Sequence, residues 1–172
     1  MKTLVIVAHP HLAQSRINKR WVEELQGKPN VTVHNLYEEY PSEQIDVARE
    51  QQLLEEHDRI VLQFPFYWYS TPPLLKKWED MVLAYGWAFG EGGTKLHGKE
   101  LQLAVSTASP KENYQPEGLN KYTMEELLRP LEATSNLIGT KLKPYFILNG
   151  IRTVTDEELE ASAREYAKVV TE

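Results

Sequence analysis

The sequence predicts one α/β domain over residues 1–172, an open parallel sheet of five strands in the order 2-1-3-4-5 with helices on both faces. Three observations carry that prediction. Short apolar runs of strand length alternate with segments of helical periodicity along the whole chain. No linker, repeat or low-complexity tract separates the units, and compact β-α units in series favour a doubly wound sheet. The first and third apolar runs are almost continuously hydrophobic, which suits central strands covered on both faces.

The strands are expected at Thr3–Ala8, Val31–Leu36, Ile60–Phe64, Leu101–Ser106 and Pro144–Asn149, each with useful β-branched or aromatic content. Between the first two, Ile17, Trp21, Val22 and Leu25 form one helical stripe. Asp46–His57 is read as a helix with a weak apolar face. Leu74, Trp78, Met81, Val82 and Tyr85 form a further stripe, for which Pro72-Pro73 is a suitable start. Met124, Leu127, Leu128, Leu131, Ser135 and Ile138 predict one helix that ends near Gly139. At the C-terminus Leu159, Ala163, Tyr166, Ala167 and Val170 repeat at helical spacing behind a capping box of Thr155 and Glu158.

Composition narrows the function. Of 172 residues 41% are hydrophobic and 26% charged, and 19 Lys+Arg against 25 Asp+Glu leave a net charge of −6. That balance disfavours nucleic-acid binding and offers no cationic face to a membrane. Without cysteine there is no disulfide, catalytic thiol, iron–sulfur cluster or zinc–thiolate site. No apolar run reaches membrane-spanning length and Leu4–Ala8 is too short for a signal-peptide core, so a soluble cytoplasmic protein is expected.

Ligands of doubly wound sheets bind outside the carboxyl ends of the strands, at the point where strand order reverses. After strand one, His9 to Asn18 runs into a helix whose free N–H groups and positive dipole end suit a phosphate. Ser15 adds a hydroxyl there, Arg16 a charge and Asn18 an amide; Ser15 equally suits a plain helix cap. His9 and His11 have no third ligand at recognisable spacing, so no metal is expected. After strand three, Phe64, Phe66, Tyr67, Trp68 and Tyr69 fill five of six positions, either as core or interface residues or as a seat for a flat heteroaromatic ring. After strand four, Ser106, Thr107, Ala108 and Ser109 are small enough for close backbone approach, or form an ordinary turn, and Tyr114 follows. The loop Trp87–Lys99 is glycine-rich but lacks P-loop spacing; it walls a pocket or meets a second subunit.

Longer stretches are recognisable: AHP near the start, S-x-x-NKR at Ser15–Arg20, LYxxYP at Leu36–Pro41, WYSxPPLLKxW at Trp68–Trp78, GWAFGEGGTKLHGK at Gly86–Lys99 and the AVST strand end. In this order they resemble the NAD(P)H:quinone oxidoreductase family of flavodoxin-like FMN or FAD proteins over nearly the whole chain. The likeness is greatest to its short bacterial branch, of YwrO or general-stress-protein type, which includes the ancillary flavoprotein of glutathione-gated potassium efflux systems. The resemblance implies a flavin, FMN before FAD. It implies ping-pong transfer of hydride from a nicotinamide nucleotide through flavin N5 to a quinone or similar acceptor, in a homodimer. The alternative it implies is a regulatory subunit bound to a membrane transporter.

Carried onto matching positions, the family's flavin contacts are His9, Ser15, Arg16, Ile17, Asn18, Phe66, Tyr67, Trp68, Tyr69, Ser106, Thr107, Ala108 and Ser109. Tyr114 matches a tyrosine that accommodates charge during hydride transfer, while Asn120 stands where long-chain relatives have a histidine. The family commonly has Thr-Thr-Gly-Gly after strand four; Cβ atoms at Ala108 and Ser109 restrict positive φ and close approach there.

Overall fold

The computed structural model describes residues 1–172. Its sheet runs β2 (Val31–Asn35), β1 (Thr3–Val7), β3 (Arg59–Pro65), β4 (Glu100–Ser106), then an edge strand in two pieces, β5 (Lys141–Leu142) and β6 (Phe146–Leu148), all parallel. Alternation in the central strands sorts the core by face. Val5, Val7, Val61 and Ala104 pack under α1 (Arg16–Leu25) and α7 (Asp156–Thr171). Leu4, Ile6, Ile60, Leu62, Phe64 and Leu103 meet the opposite layer of α2 (Leu36–Glu39), α3 (Val47–Glu55), α4 (Pro73–Val82), α5 (Met124–Leu127) and α6 (Arg129–Ile138).

Three departures from the sequence reading have local causes. The fifth strand is interrupted because its register against β4 shifts: Leu101 pairs with Leu142 but Ala104 with Phe146, leaving one extra residue around Pro144. The buried Gln102 side chain donates to the Pro144 carbonyl and so satisfies an acceptor that the bulge removes from the ladder. The helix expected through Met124–Ile138 breaks at Leu128, because Pro130 has no N–H to offer the carbonyl one turn back. Leu36, expected to end strand two, instead begins α2 and is fully buried there.

The turn from β2 into α2 encloses a buried carboxylate. Glu50, 1% exposed, accepts hydrogen bonds from His34 Nε2 (2.8 Å), Tyr40 Oη (2.8 Å) and Trp78 Nε1 (3.0 Å). Burial pushes this carboxyl up, but the three donors together outweigh it and hold the group below the ordinary carboxylate range. A depressed folded-state value stabilises the fold above the ordinary carboxylate range, and that contribution disappears as the pH falls through the depressed value. Glu50→Ala leaves three buried donors unpaired, so urea unfolding at pH 7 is expected to show a loss of about 3 kcal/mol. The loss should shrink on acidification; an equal loss at pH 7 and pH 3 would contradict this role.

Candidate functional site

The carboxyl ends of β1, β3 and β4 meet at a cleft of about 330 Å3 lined by His9, His11, Gln14, Ser15, Arg16, Ile17, Asn18, Pro65, Ser106, Ile151 and Arg152. Its floor is the start of α1. Ser15 Oγ accepts the Asn18 N–H at 3.1 Å, so Ser15 is the helix cap. The N–H groups of Arg16 and Ile17, in the first turn, have no partner within the helix and give the cleft its positive end. His9 Nδ1 accepts the His11 N–H at 2.9 Å, which leaves the ring hydrogen on Nε2. Burial, with His11 nearby, lowers the His9 pKa, so the ring is a neutral donor at pH 7.

Several predicted contacts also hold the structure together. Asn18, 1% exposed, lines the cleft, and its side-chain amide donates to Ser106 Oγ at 2.9 Å and so positions Ser106. Ile17 is buried in the core, so only its main chain is available. The Arg16 guanidinium binds the Val154 carbonyl and Asp156, both at 2.7 Å, and ties α1 to the start of α7. The buried Thr107 hydroxyl donates to the Ser109 carbonyl and accepts from Asn149 Nδ2, each at 2.8 Å. Arg152, which the sequence reading missed, lines the cleft and makes no ion pair. Its only signal was a basic residue in the turn after strand five.

A buried polar chain supports this cleft. Tyr166 Oη donates to Gln63 Oε1 at 2.9 Å, Gln63 Nε2 donates to Asn18 Oδ1 at 3.2 Å, and Asn18 continues to Ser106. Each group in the chain uses its donor and acceptor in sequence, which links α7, β3, α1 and β4.

Beside the cleft, the aromatic segment turns back on itself. Tyr67 and Ser70 exchange both main-chain hydrogen bonds, at 2.9 and 3.0 Å. The central residues have φ of 47° at Trp68 and 63° at Tyr69, the geometry of a type I′ turn. Bulky side chains in this region store strain of about 1–3 kcal/mol per residue, a feature that clusters at ligand sites. The N–H groups of Trp68, Tyr69, Ala108 and Ser109 make no main-chain hydrogen bond, and neither Ala108 nor Ser109 needs positive φ. Phe66 is edge-on to Tyr69 and to Tyr114, with centroids 6.5 and 6.4 Å apart, and Tyr69 Oη donates to Asn120 Oδ1 at 3.1 Å. The structure thus brings Tyr114, Asn120 and the aromatic turn together. The glycine-rich loop places Phe89 in a neighbouring cleft and pins Trp87 to Glu55 at 2.8 Å.

No group of three or more His, Asp or Glu side chains has metal-holding geometry, and no helix is long and apolar enough to cross a membrane.

A family model described as flavodoxin-like fold matches residues 1–170. The chain is 57% identical to general stress protein 14 of Bacillus subtilis, over 99% of this chain and 97% of that protein. It is 42% identical to the glutathione-regulated potassium-efflux system ancillary protein KefG of Pectobacterium carotovorum, over 97% and 91%. A general stress protein 14 from Treponema denticola, solved in complex with FMN, superposes with a TM-score of 0.94 at 43% identity, covering 99% of this chain and 98% of that one. A chain described as a thermophilic tryptophan halogenase from Streptomycin violaceusniger superposes with a TM-score of 0.96 at 51% identity, covering 98% of each. Another neighbour, an NADPH-quinone reductase from P. pentosaceus, has a TM-score of 0.92 at 36% identity, covering 99% and 98%.

Asn18→Ala strands the Gln63 amide and removes the donor to Ser106. Thermal or urea unfolding should register a loss of about 2 kcal/mol, while Ala108→Gly on the exposed turn should change stability by under about 1 kcal/mol. Equal effects would contradict the polar chain.

Proposed function

The chain belongs to the family of flavodoxin-like fold, and on that premise we propose that it is an FMN-dependent NAD(P)H oxidoreductase that reduces a quinone or a similar small acceptor. The observation that supports this most is the pairing of two features at one sheet end: a helix-start cleft for an anion and, beside it, an aromatic turn with free N–H groups. FMN has the matching shape, a phosphate at one end and a flat heteroaromatic ring with polar edges at the other. When bound, it supplies the electron chemistry, taking hydride from a reduced nicotinamide nucleotide and passing electrons to the acceptor.

The protein's part is to bind and orient. The Arg16 and Ile17 N–H groups, the His9 Nε2–H, the Ser106 hydroxyl and the Arg152 guanidinium surround the phosphate position. Phe66 to Tyr69 offer the ring a platform, with Trp68 and Tyr69 as main-chain donors, and Ala108 and Ser109 offer donors from the next strand end. Tyr114, held against Phe66, places a hydroxyl-bearing ring beside that platform. Trp68 (92% exposed), Tyr85 (69%), Leu119 (77%) and Tyr122 (56%) leave apolar surface uncovered, which supports a homodimer. The same surface, with the likeness to KefG, supports a second reading as the ancillary subunit of a membrane transporter. Retention of the protein by its transporter's cytoplasmic domain, lost on Trp68→Ala, would favour that reading.

The protein mixed with FMN should show a bound-flavin absorption spectrum that bleaches with NADPH under anaerobic conditions and recovers on adding 1,4-naphthoquinone. An unchanged free-FMN spectrum would overturn the proposal. Arg152→Ala and Ser15→Ala should each weaken FMN binding about tenfold in a fluorescence titration, equivalent to about 1.4 kcal/mol. Wild-type affinity in both variants would move the phosphate elsewhere.

A further inference from the structure

The turn after β4 and the loop after β6 are clamped together by a side-chain relay as well as by main-chain bonds. Thr107, 1% exposed, has one hydroxyl hydrogen and donates it to the Ser109 carbonyl at 2.8 Å. The same hydroxyl accepts from Asn149 Nδ2 at 2.8 Å, so it keeps no hydrogen for a ligand. Alongside, Ile151 N–H donates to the Thr107 carbonyl at 3.1 Å and Gly150 N–H to the Ser109 carbonyl at 2.9 Å. A trans peptide points its N–H opposite to its carbonyl, so tying the Thr107 carbonyl to the loop turns the Ala108 N–H away from it. The Ser109 carbonyl, with two donors, is fixed in turn, while the N–H groups of Ala108 and Ser109 make no main-chain hydrogen bond. On the loop side Gly150 has φ of 69°, and a Cβ there would lie 3.3 Å from Thr153 Oγ1. Its carbonyl accepts from Thr153 N–H at 2.9 Å and from Val154 N–H at 3.2 Å, which closes the turn that carries Arg152 to the anion cleft. The clamp thus has the Ala108 and Ser109 donors at one end and Arg152 at the other. The apolar cleft lined by Phe89 and Glu79 shares none of these residues.

We infer that Asn149 and Thr107 are positioning residues for FMN, and that their one relay fixes both the main-chain donors offered to the ring and the arginine offered to the phosphate. This rests on the oxidoreductase reading. Donors held in advance where charge will develop act without reorganising, and a ring that takes up electrons gains negative charge at its polar edge. Loosening the turn therefore disfavours reduced FMN more than oxidised FMN. A loss of stability alone would weaken both alike and leave the potential where it was. Because the loop that bears Arg152 is held by the same relay, loosening it also costs part of the hold on the phosphate.

Fluorescence titration and a midpoint-potential measurement on the full chain test this. Thr107→Val and Asn149→Ala should each weaken oxidised FMN about tenfold and reduced FMN about a hundredfold, which lowers the midpoint potential by about 30 mV. Thr107→Ser, which keeps the hydroxyl, should restore both. Riboflavin has the same ring and no phosphate. Its affinity should fall about threefold in both variants, so that the preference for FMN over riboflavin also falls about threefold. A wild-type potential, or a wild-type preference for FMN, in both variants overturns the inference. Asn149 is half-buried, so Asn149→Ala gives the same readouts if Thr107→Val does not fold. In the flavin-free protein, amide exchange at Gly150, Ile151 and Thr153 should quicken about tenfold in either variant, and wild-type exchange there overturns the clamp. Wild-type protein that binds neither flavin, with exchange quickened in the variants, overturns the oxidoreductase reading and leaves the clamp standing.

Discussion

The Gln63 side chain holds the working end of the sheet together. It is fully buried in the central strand, between Tyr166 on one side and Asn18 on the other. An amide at such a position is tolerable only when both its ends are paired, since the low-dielectric interior that strengthens a satisfied network also penalises a broken one. Here the requirement is met by Asn18 of α1 and Tyr166 of α7, and Asn18 in turn binds Ser106 of β4, so the positions of α1, α7 and β4 relative to β3 are coupled. Ser106 accepts the last hydrogen bond of the chain and keeps its own hydroxyl hydrogen for the cleft. A polar network of the core thereby ends as a donor at the surface.

The same end of the sheet carries local strain, and the scaffold around it shows why the strain persists. Trp68 and Tyr69 occupy a turn that normally asks for Asn-Gly. On one side Phe66 N–H is tied to the Ser106 carbonyl at 2.8 Å; on the other Pro72 and Pro73 lead directly into α4, whose Leu74 N–H donates to Tyr37 at 3.2 Å. With both ends fixed, few residues are left to make the reversal. The reward for left-handed backbone there is a pair of outward N–H groups flanked by aromatic rings, an arrangement a relaxed turn would not present.

Much of this was legible in the sequence, and the illegible parts share a cause. Strand positions, sheet order and the loops that meet at the sheet end follow from local apolar periodicity and from topology rules. The break at Leu128 was readable too, since Pro130 stands in the middle of the expected helix. What periodicity cannot show is the destination of a polar side chain. Asn18 and Thr107 look like ligand donors in one dimension; in the fold both side chains are also engaged by partners distant in sequence, Ser106 and Asn149. Arg16 is likewise drawn off by α7. Arg152 and Glu79 had no motif to announce them: one is a surface arginine in a turn, the other an acid on an amphipathic helix, and only packing brings them to clefts.

Asn120 shows how a single position constrains the chemistry of the rest. It accepts from the Tyr69 hydroxyl, so it fixes the edge of the aromatic turn, while its Nδ2 is buried without a partner. An amide can orient a neighbour but cannot exchange protons near neutral pH, as an imidazole in the same place would. At this end of the sheet the aromatic turn therefore works through fixed dipoles: N–H groups, phenols and an amide. Groups that change protonation near neutrality lie apart from it. His9 sits in the anion cleft, shifted towards its neutral form, and Glu79 lies in the apolar cleft, shifted towards its acid form. In both cases burial favours the uncharged donor. An oxygen acceptor entering either cleft would thus meet a hydrogen-bond donor, while the apolar walls around Glu79 disfavour the charged group that the helix start attracts.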